Sequence, residues 1–109
     1  MRPAGMTSLE RLSRSKLKPL ISWQEFLRAT PTLRKQVCGK PGCHCESGQK
    51  HLTLVLTRST DGKVEQLYVP KDQEETVRLW VRRYREILDL LEIISSSYWD
   101  RLKKAKKER

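Results

Sequence analysis

From Gln73 to Arg109 the chain runs 37 residues without a glycine or a proline, about a third of its length. Both residues that end helices are absent there, so the segment is free to form one continuous helix. Val77, Tyr84, Leu91 and Tyr98 recur every seven residues, with Trp80, Ile87 and Ile94 between them and Val81, Leu88 and Leu102 widening the stripe. That spacing predicts a long amphipathic helix. Asp72-Gln73-Glu74-Glu75 follows Pro70 and supplies a capping signature, with acids at the positive end of the helix dipole. Through Lys104 such a helix would span about 48 Å. This is longer than the rest of so small a chain, so its far half lacks an obvious partner within the monomer. A protein partner, or a homodimer formed through this helix, is the implied remedy.

Upstream, Leu52 to Arg58 and Lys63 to Val69 read as two strands rich in β-branched and aliphatic residues. Asp61-Gly62 between them tolerates the positive φ angles of a tight turn, which predicts a β-hairpin. Val64 does not alternate cleanly with Leu67 and Val69, so a bulge is allowed for. Ser22-Trp23-Gln24-Glu25 matches a capping box and predicts a short helix from Trp23 to Ala29, ended by Thr30-Pro31. Residues 1–21 contain Pro3, Gly5 and Pro19 among Arg and Ser, which predicts a flexible basic arm with at most a transient helix from Ser8 to Lys16.

Between the short helix and the hairpin lie Cys38, Cys43, Cys45 and His51, four metal-ligating side chains within fourteen residues that also hold Gly39, Pro41, Gly42 and Gly48. Three cysteines cannot pair off completely, and no apolar stretch near the N-terminus has the length of a secretion signal. The longest aliphatic runs are far short of a membrane span. The chain is therefore expected to be soluble and cytoplasmic, without membrane association, where disulfides rarely persist. One structural zinc ion, Zn2+, held by these four residues suits three thiolates and an imidazole on a turning backbone. His44 competes as the fourth ligand. His51 is preferred, because His44 lies between two cysteine ligands and has almost no loop with which to fold onto the same ion.

The residues Cys38-Gly39-Lys40-Pro41, Cys43, Cys45, Gly48, His51, Tyr68-Val69-Pro70-Lys71, Val77, Trp80 and Tyr84-Arg85 resemble a family of small bacterial and archaeal proteins of unassigned function. Its signature is Cys-Gly-Lys-Pro-x-Cys-x-Cys, then a glycine, a His-Gly-Pro-Tyr strand start, a Tyr-Val-Pro-Lys and a helix with Trp and Tyr-Arg. The resemblance covers about residues 34 to 95. Leu52-Thr53-Leu54 stands where the family has Gly-Pro-Tyr. The resemblance implies that His51 and not His44 belongs to the motif, and it implies an association with mobile genetic elements.

The net charge of +10 is unevenly distributed. Residues 1–22 carry +4 and residues 101–109 carry +5, while residues 72–100 carry −3. Cationic ends favour a polyanionic partner, since Lys and Arg displace condensed counterions from phosphates. Arg34, Lys35, Lys40 and Lys50 around the cysteine loop, with Arg101, Lys103, Lys104, Lys106 and Lys107 at the C-terminal end, are the candidate contacts to DNA or RNA. Paired carboxylates in a catalytic setting, a phosphate-cradling glycine loop and an open metal site are not legible, so a non-enzymatic role is expected. The expectation is thus an α+β protein: residues 22–109 form one domain in which a zinc knuckle and hairpin pack on the long helix. Its function is expected to be that of a nucleic-acid-binding accessory factor, possession of an adaptor role through the long helix being the alternative.

Overall fold

The computed structural model describes residues 6–36 and 51–107. Its elements are helix α1 (Ser8–Ser22), strands β1 (Thr30–Gln36), β2 (His51–Thr60) and β3 (Lys63–Tyr68), a 3-10 turn (Lys71–Gln73) and helix α2 (Glu74–Lys107). This is an α+β arrangement with a short N-terminal helix, a small antiparallel sheet and a long C-terminal helix. The chain divides into two units, Met1–Phe26 with Arg82–Arg109, and Leu27–Val81.

In the first unit, α1 replaces the expected flexible arm. Thr7 is its N-cap, and the Thr7 hydroxyl accepts the Glu10 amide at 3.0 Å, satisfying one of the donors that a helix start leaves open. Glu10, Ser13, Leu17 and Leu20 are buried at spacings of 3, 4 and 3, the stripe of a helix packed along one seam. Leu17 and Leu20 form a core with Ile87, Leu90 and Ile94. Glu10 meets residues 97–101 instead, so α1 and α2 run antiparallel.

Pro19 lies inside α1 and does not end it. An interior proline costs about 3 kcal/mol, which the docking of Leu17 and Leu20 on either side of it offsets. The Trp23 amide closes the last turn on the Pro19 carbonyl at 3.0 Å. Ser22 consequently ends a helix where the capping-box pattern predicts a start, and residues 24–29 are not helical. Beyond this turn Phe26 stacks on Tyr84 with ring centroids 6.2 Å apart, and Arg83 donates to the Glu25 carbonyl at 3.0 Å.

In the second unit, β2 is the central strand of the order β1-β2-β3, antiparallel to both neighbours. The β2–β3 hairpin turns at Asp61 and Gly62, with φ of 52° and 77°. Two successive positive φ angles are the signature of the type I′ turn that Asp-Gly favours. Its register runs unbroken from Thr60↔Lys63 to Val55↔Tyr68, without the bulge allowed for by the sequence. The amide of Val69 then donates to the Leu54 carbonyl at 2.9 Å, extending the ladder past β3.

Strand β1 is an element that the sequence pattern does not reveal. It accommodates Pro31 because it is an edge strand, where a missing N–H need not break the sheet. Leu54 and Leu56 project from one face of β2 onto Val69, Val77 and Val81, with Leu27, Ala29 and Trp80 around them. The first turns of α2 therefore cover that face of the sheet.

Candidate metal centre and basic surfaces

Cys38, Cys43 and Cys45, together with His44, Lys40 and Lys50, lie outside the described residues. What the structure does describe is the frame that carries them. The β1–β2 register continues to its last pair, Gln36↔His51, whose Cα atoms sit roughly 4.5 to 5.5 Å apart in an antiparallel ladder. The fourteen residues 37–50 thus connect two positions that are paired across the sheet. Cys38 is two residues beyond Gln36, within about 7 Å of it along the chain, and His51 is Gln36's own cross-strand partner. His51 stands on the last rung of the ladder, and Cys38 follows its partner Gln36 by two residues in sequence. Much of the entropy of closing a chelate around an ion is lost in forming the sheet, and the set of three thiols and an imidazole fits a closed tetrahedral site. Among the described residues no group of three or more His, Cys, Asp or Glu converges.

The basic residues named from the sequence have different surroundings. Arg34 and Lys35 are neighbours in β1 and so point to opposite faces of the sheet. Arg34 is on the face away from Leu54, and its Nη1 donates to Gln66 Oε1 at 3.5 Å. Lys35 is exposed and pairs in register with Leu52. These two cations cannot grip one phosphate together.

Arg101 is taken up by the protein itself. Its Nη2 lies 3.1 Å from Glu10 Oε1 and its guanidinium carbon 4.8 Å from the centre of the Tyr98 ring. The Glu10 side chain is fully buried and also accepts from Arg14 Nε at 2.8 Å, Tyr98 Oη at 2.9 Å and Ser97 Oγ at 3.3 Å. Arg14 donates on to Tyr98 Oη at 3.0 Å. Donation from Arg14 is the chief reason that the Glu10 carboxyl is held below its ordinary value of 4.5; burial opposes the shift, and Tyr98 and Arg101 add to it. In turn Glu10 raises the Arg14 guanidinium above its ordinary range. Arg101 Nε is buried without a partner of its own among the described residues, but the other contacts converge on Glu10, and such a polar cluster on a helix seam fixes which residues face one another.

This network is absent from the sequence reading. Thr7-x-x-Glu10 is a capping-box spacing and Glu10–Arg14 an i, i+4 pair, so its local half left a trace. Its distal half, Ser97, Tyr98 and Arg101, is some ninety residues away and left none. With Arg101 engaged, the free cationic end of α2 consists of Lys103, Lys104, Lys106 and Lys107. All four are exposed, and none forms an ion pair among the described residues.

The fold and its frame define a small α+β protein with a Cys- and His-bearing segment set between two paired strands. A family model described as a domain of unknown function, DUF6788, matches residues 7–79, and the chain belongs to that family. The match starts at the N-cap of α1 and runs through the sheet into the first turns of α2. No curated protein and no solved structure matches the chain.

Proposed function

We propose that the protein is a non-enzymatic nucleic-acid-binding accessory factor, stapled by one structural Zn2+ on Cys38, Cys43, Cys45 and His51, and working in the context of a mobile genetic element. The observation that carries the reading is the unpaired charge at the end of α2. Lys103, Lys104, Lys106 and Lys107 stand in its last turns, exposed and without an ion pair among the described residues, on a chain of net charge +10. Cations so placed attract phosphates at long range. Arg34, Lys35, Lys40 and Lys50 would add contacts from the sheet and its metal loop.

A cleft of about 300 Å³ between Leu27, Ala29 and the β2–β3 hairpin holds one carboxylate, Glu65, which already faces Arg58 at 3.9 Å. Among the described residues no helix is long and apolar enough to cross a membrane.

Titration of random DNA, random RNA and heparin over a range of salt tests the reading. If about six phosphates are contacted, affinity for duplex DNA falls roughly a thousandfold between 50 and 200 mM salt. Absence of binding to any of the three at low salt would overturn it. A second reading, docking through α2, is favoured by a separate observation, the exposure of Leu88, Leu91, Trp99 and Leu102.

A further inference from the structure

Within the first unit α2 carries two apolar seams. Ile87, Leu90, Ile94, Ser97 and Arg101 follow one another at spacings of 3, 4, 3 and 4, and α1 occupies this seam through Leu17, Leu20 and Glu10. One residue further round, Tyr84, Leu88, Leu91, Ser95, Tyr98 and Leu102 are spaced 4, 3, 4, 3 and 4. Both are the a/d spacing of a coiled coil. Tyr84 meets Phe26 and the Tyr98 hydroxyl reaches α1, but among the described residues the aliphatic part of the second seam stays open: Leu88 is 47% exposed, Leu91 44% and Leu102 66%, with Tyr98 at 38% and Trp99 beside them at 63%. Together these side chains leave about 500 Å² of surface per copy, at the upper end of what a lone monomer tolerates.

We propose that a second copy of this chain covers the seam, its α2 antiparallel to the first, about a two-fold axis between Ser95 and Tyr98. The proposal deepens the docking reading and does not depend on zinc or nucleic acid. Charge selects both the occupant and the direction. The outer flank of the seam is acidic at Asp89 and Glu92 and basic at Lys103 and Lys106. In an antiparallel pair Leu91 meets Leu102 and Ser95 meets Tyr98. Glu92 then lies within a turn of Lys103 of the second copy, and Asp89 within a turn of its Lys106. A parallel pair would instead set this flank against the opposite one, the side of α2 that α1 occupies, and these ion pairs would not form. The area, about 1,000 Å² for the pair, is near the lower bound of specific interfaces, so the association is concentration-dependent.

Sedimentation velocity of the full chain without nucleic acid, over a hundredfold range of concentration, tests this. The expected result is a monomer–dimer equilibrium, with dimer lost in Leu91→Glu, more than about a hundredfold weakening, while its circular dichroism stays native because Leu91 is partly exposed. Glu92→Lys alone and Lys103→Glu alone should each weaken the dimer on the order of tenfold, and the double exchange should restore it. A native chain that is monomeric at every concentration overturns the proposal and leaves the seam to a different protein. A dimer that survives Leu91→Glu, or one that the double exchange fails to restore, overturns it as well.

Discussion

Leu17→Ala separates a docked α1 from a flexible arm. Leu17 is 8% exposed and shares a core with Leu20, Ile87, Leu90 and Ile94. Truncating it removes most of an aliphatic side chain and leaves a cavity between two helices that are held apart by their remaining contacts. Such changes cost about 2 to 4 kcal/mol, against a total stability of about 5 to 15 kcal/mol for a domain. Urea unfolding followed by circular dichroism should therefore show the midpoint falling steeply with little change in slope. Leu90→Ala should behave likewise. The double variant should depart from additivity by about 0.5 kcal/mol or more, because the two residues belong to one core. An effect of Leu17→Ala below about 0.5 kcal/mol, the range of surface substitutions, would refute the packing of α1 on α2.

Three further outcomes follow. Because the folded-state value of Glu10 is lowered from 4.5, its network stabilises the fold fully above that pH and ceases to as pH falls through the lowered value. Urea midpoints between about pH 6 and about pH 3 should drop more steeply for the native chain than for Glu10→Gln, and parallel profiles would refute the assignment. Metal analysis of protein prepared without chelator should find about one zinc per chain. Cys43→Ser and His51→Ala should lose it and His44→Ala keep it; equal loss in all three would show that the fourth ligand was wrongly chosen. Gly62→Ala should cost about 1 kcal/mol in thermal or urea unfolding, because φ is 77° there although the added methyl group meets nothing within 4 Å.

The hairpin and α2 were legible because their signals are local. Asp61-Gly62 forces its turn wherever it occurs, and the stretch after Pro70 has no helix breaker. Strand β1 was not, because Thr30-Pro31 has the chemistry of a helix stop and only pairing with β2 makes the segment a strand. Helix α1 is legible only as a transient helix over Ser8–Lys16, for the opposite reason: Pro19 is a breaker whose cost is met by contacts with residues about seventy positions away. The seam of α2 was read one residue out of phase in part. Leu91 and Tyr98 look like core by spacing, yet Leu90 and Ser97 take the α1-facing positions, since Ser97 and Arg101 are needed by Glu10. The same tertiary pairing removed Arg101 from the candidate phosphate contacts. It also dictates how the tail is to be tested, because a truncation that takes Arg101 away would strip a partner from buried Glu10.

The most direct measurement of the central claim is therefore the salt dependence of duplex DNA binding by the native chain and by Lys103→Gln/Lys104→Gln/Lys106→Gln/Lys107→Gln, which keeps Arg101 and the helix length, both titrated at concentrations where sedimentation finds only monomer because Lys103 and Lys106 also face the proposed dimer seam. If each lysine neutralises one phosphate, the slope of log affinity against log salt should become shallower by about 3 to 4, with the circular dichroism unchanged. Equal affinity and equal slope for both proteins would contradict the account, reducing the basic end of α2 to a solubilising one.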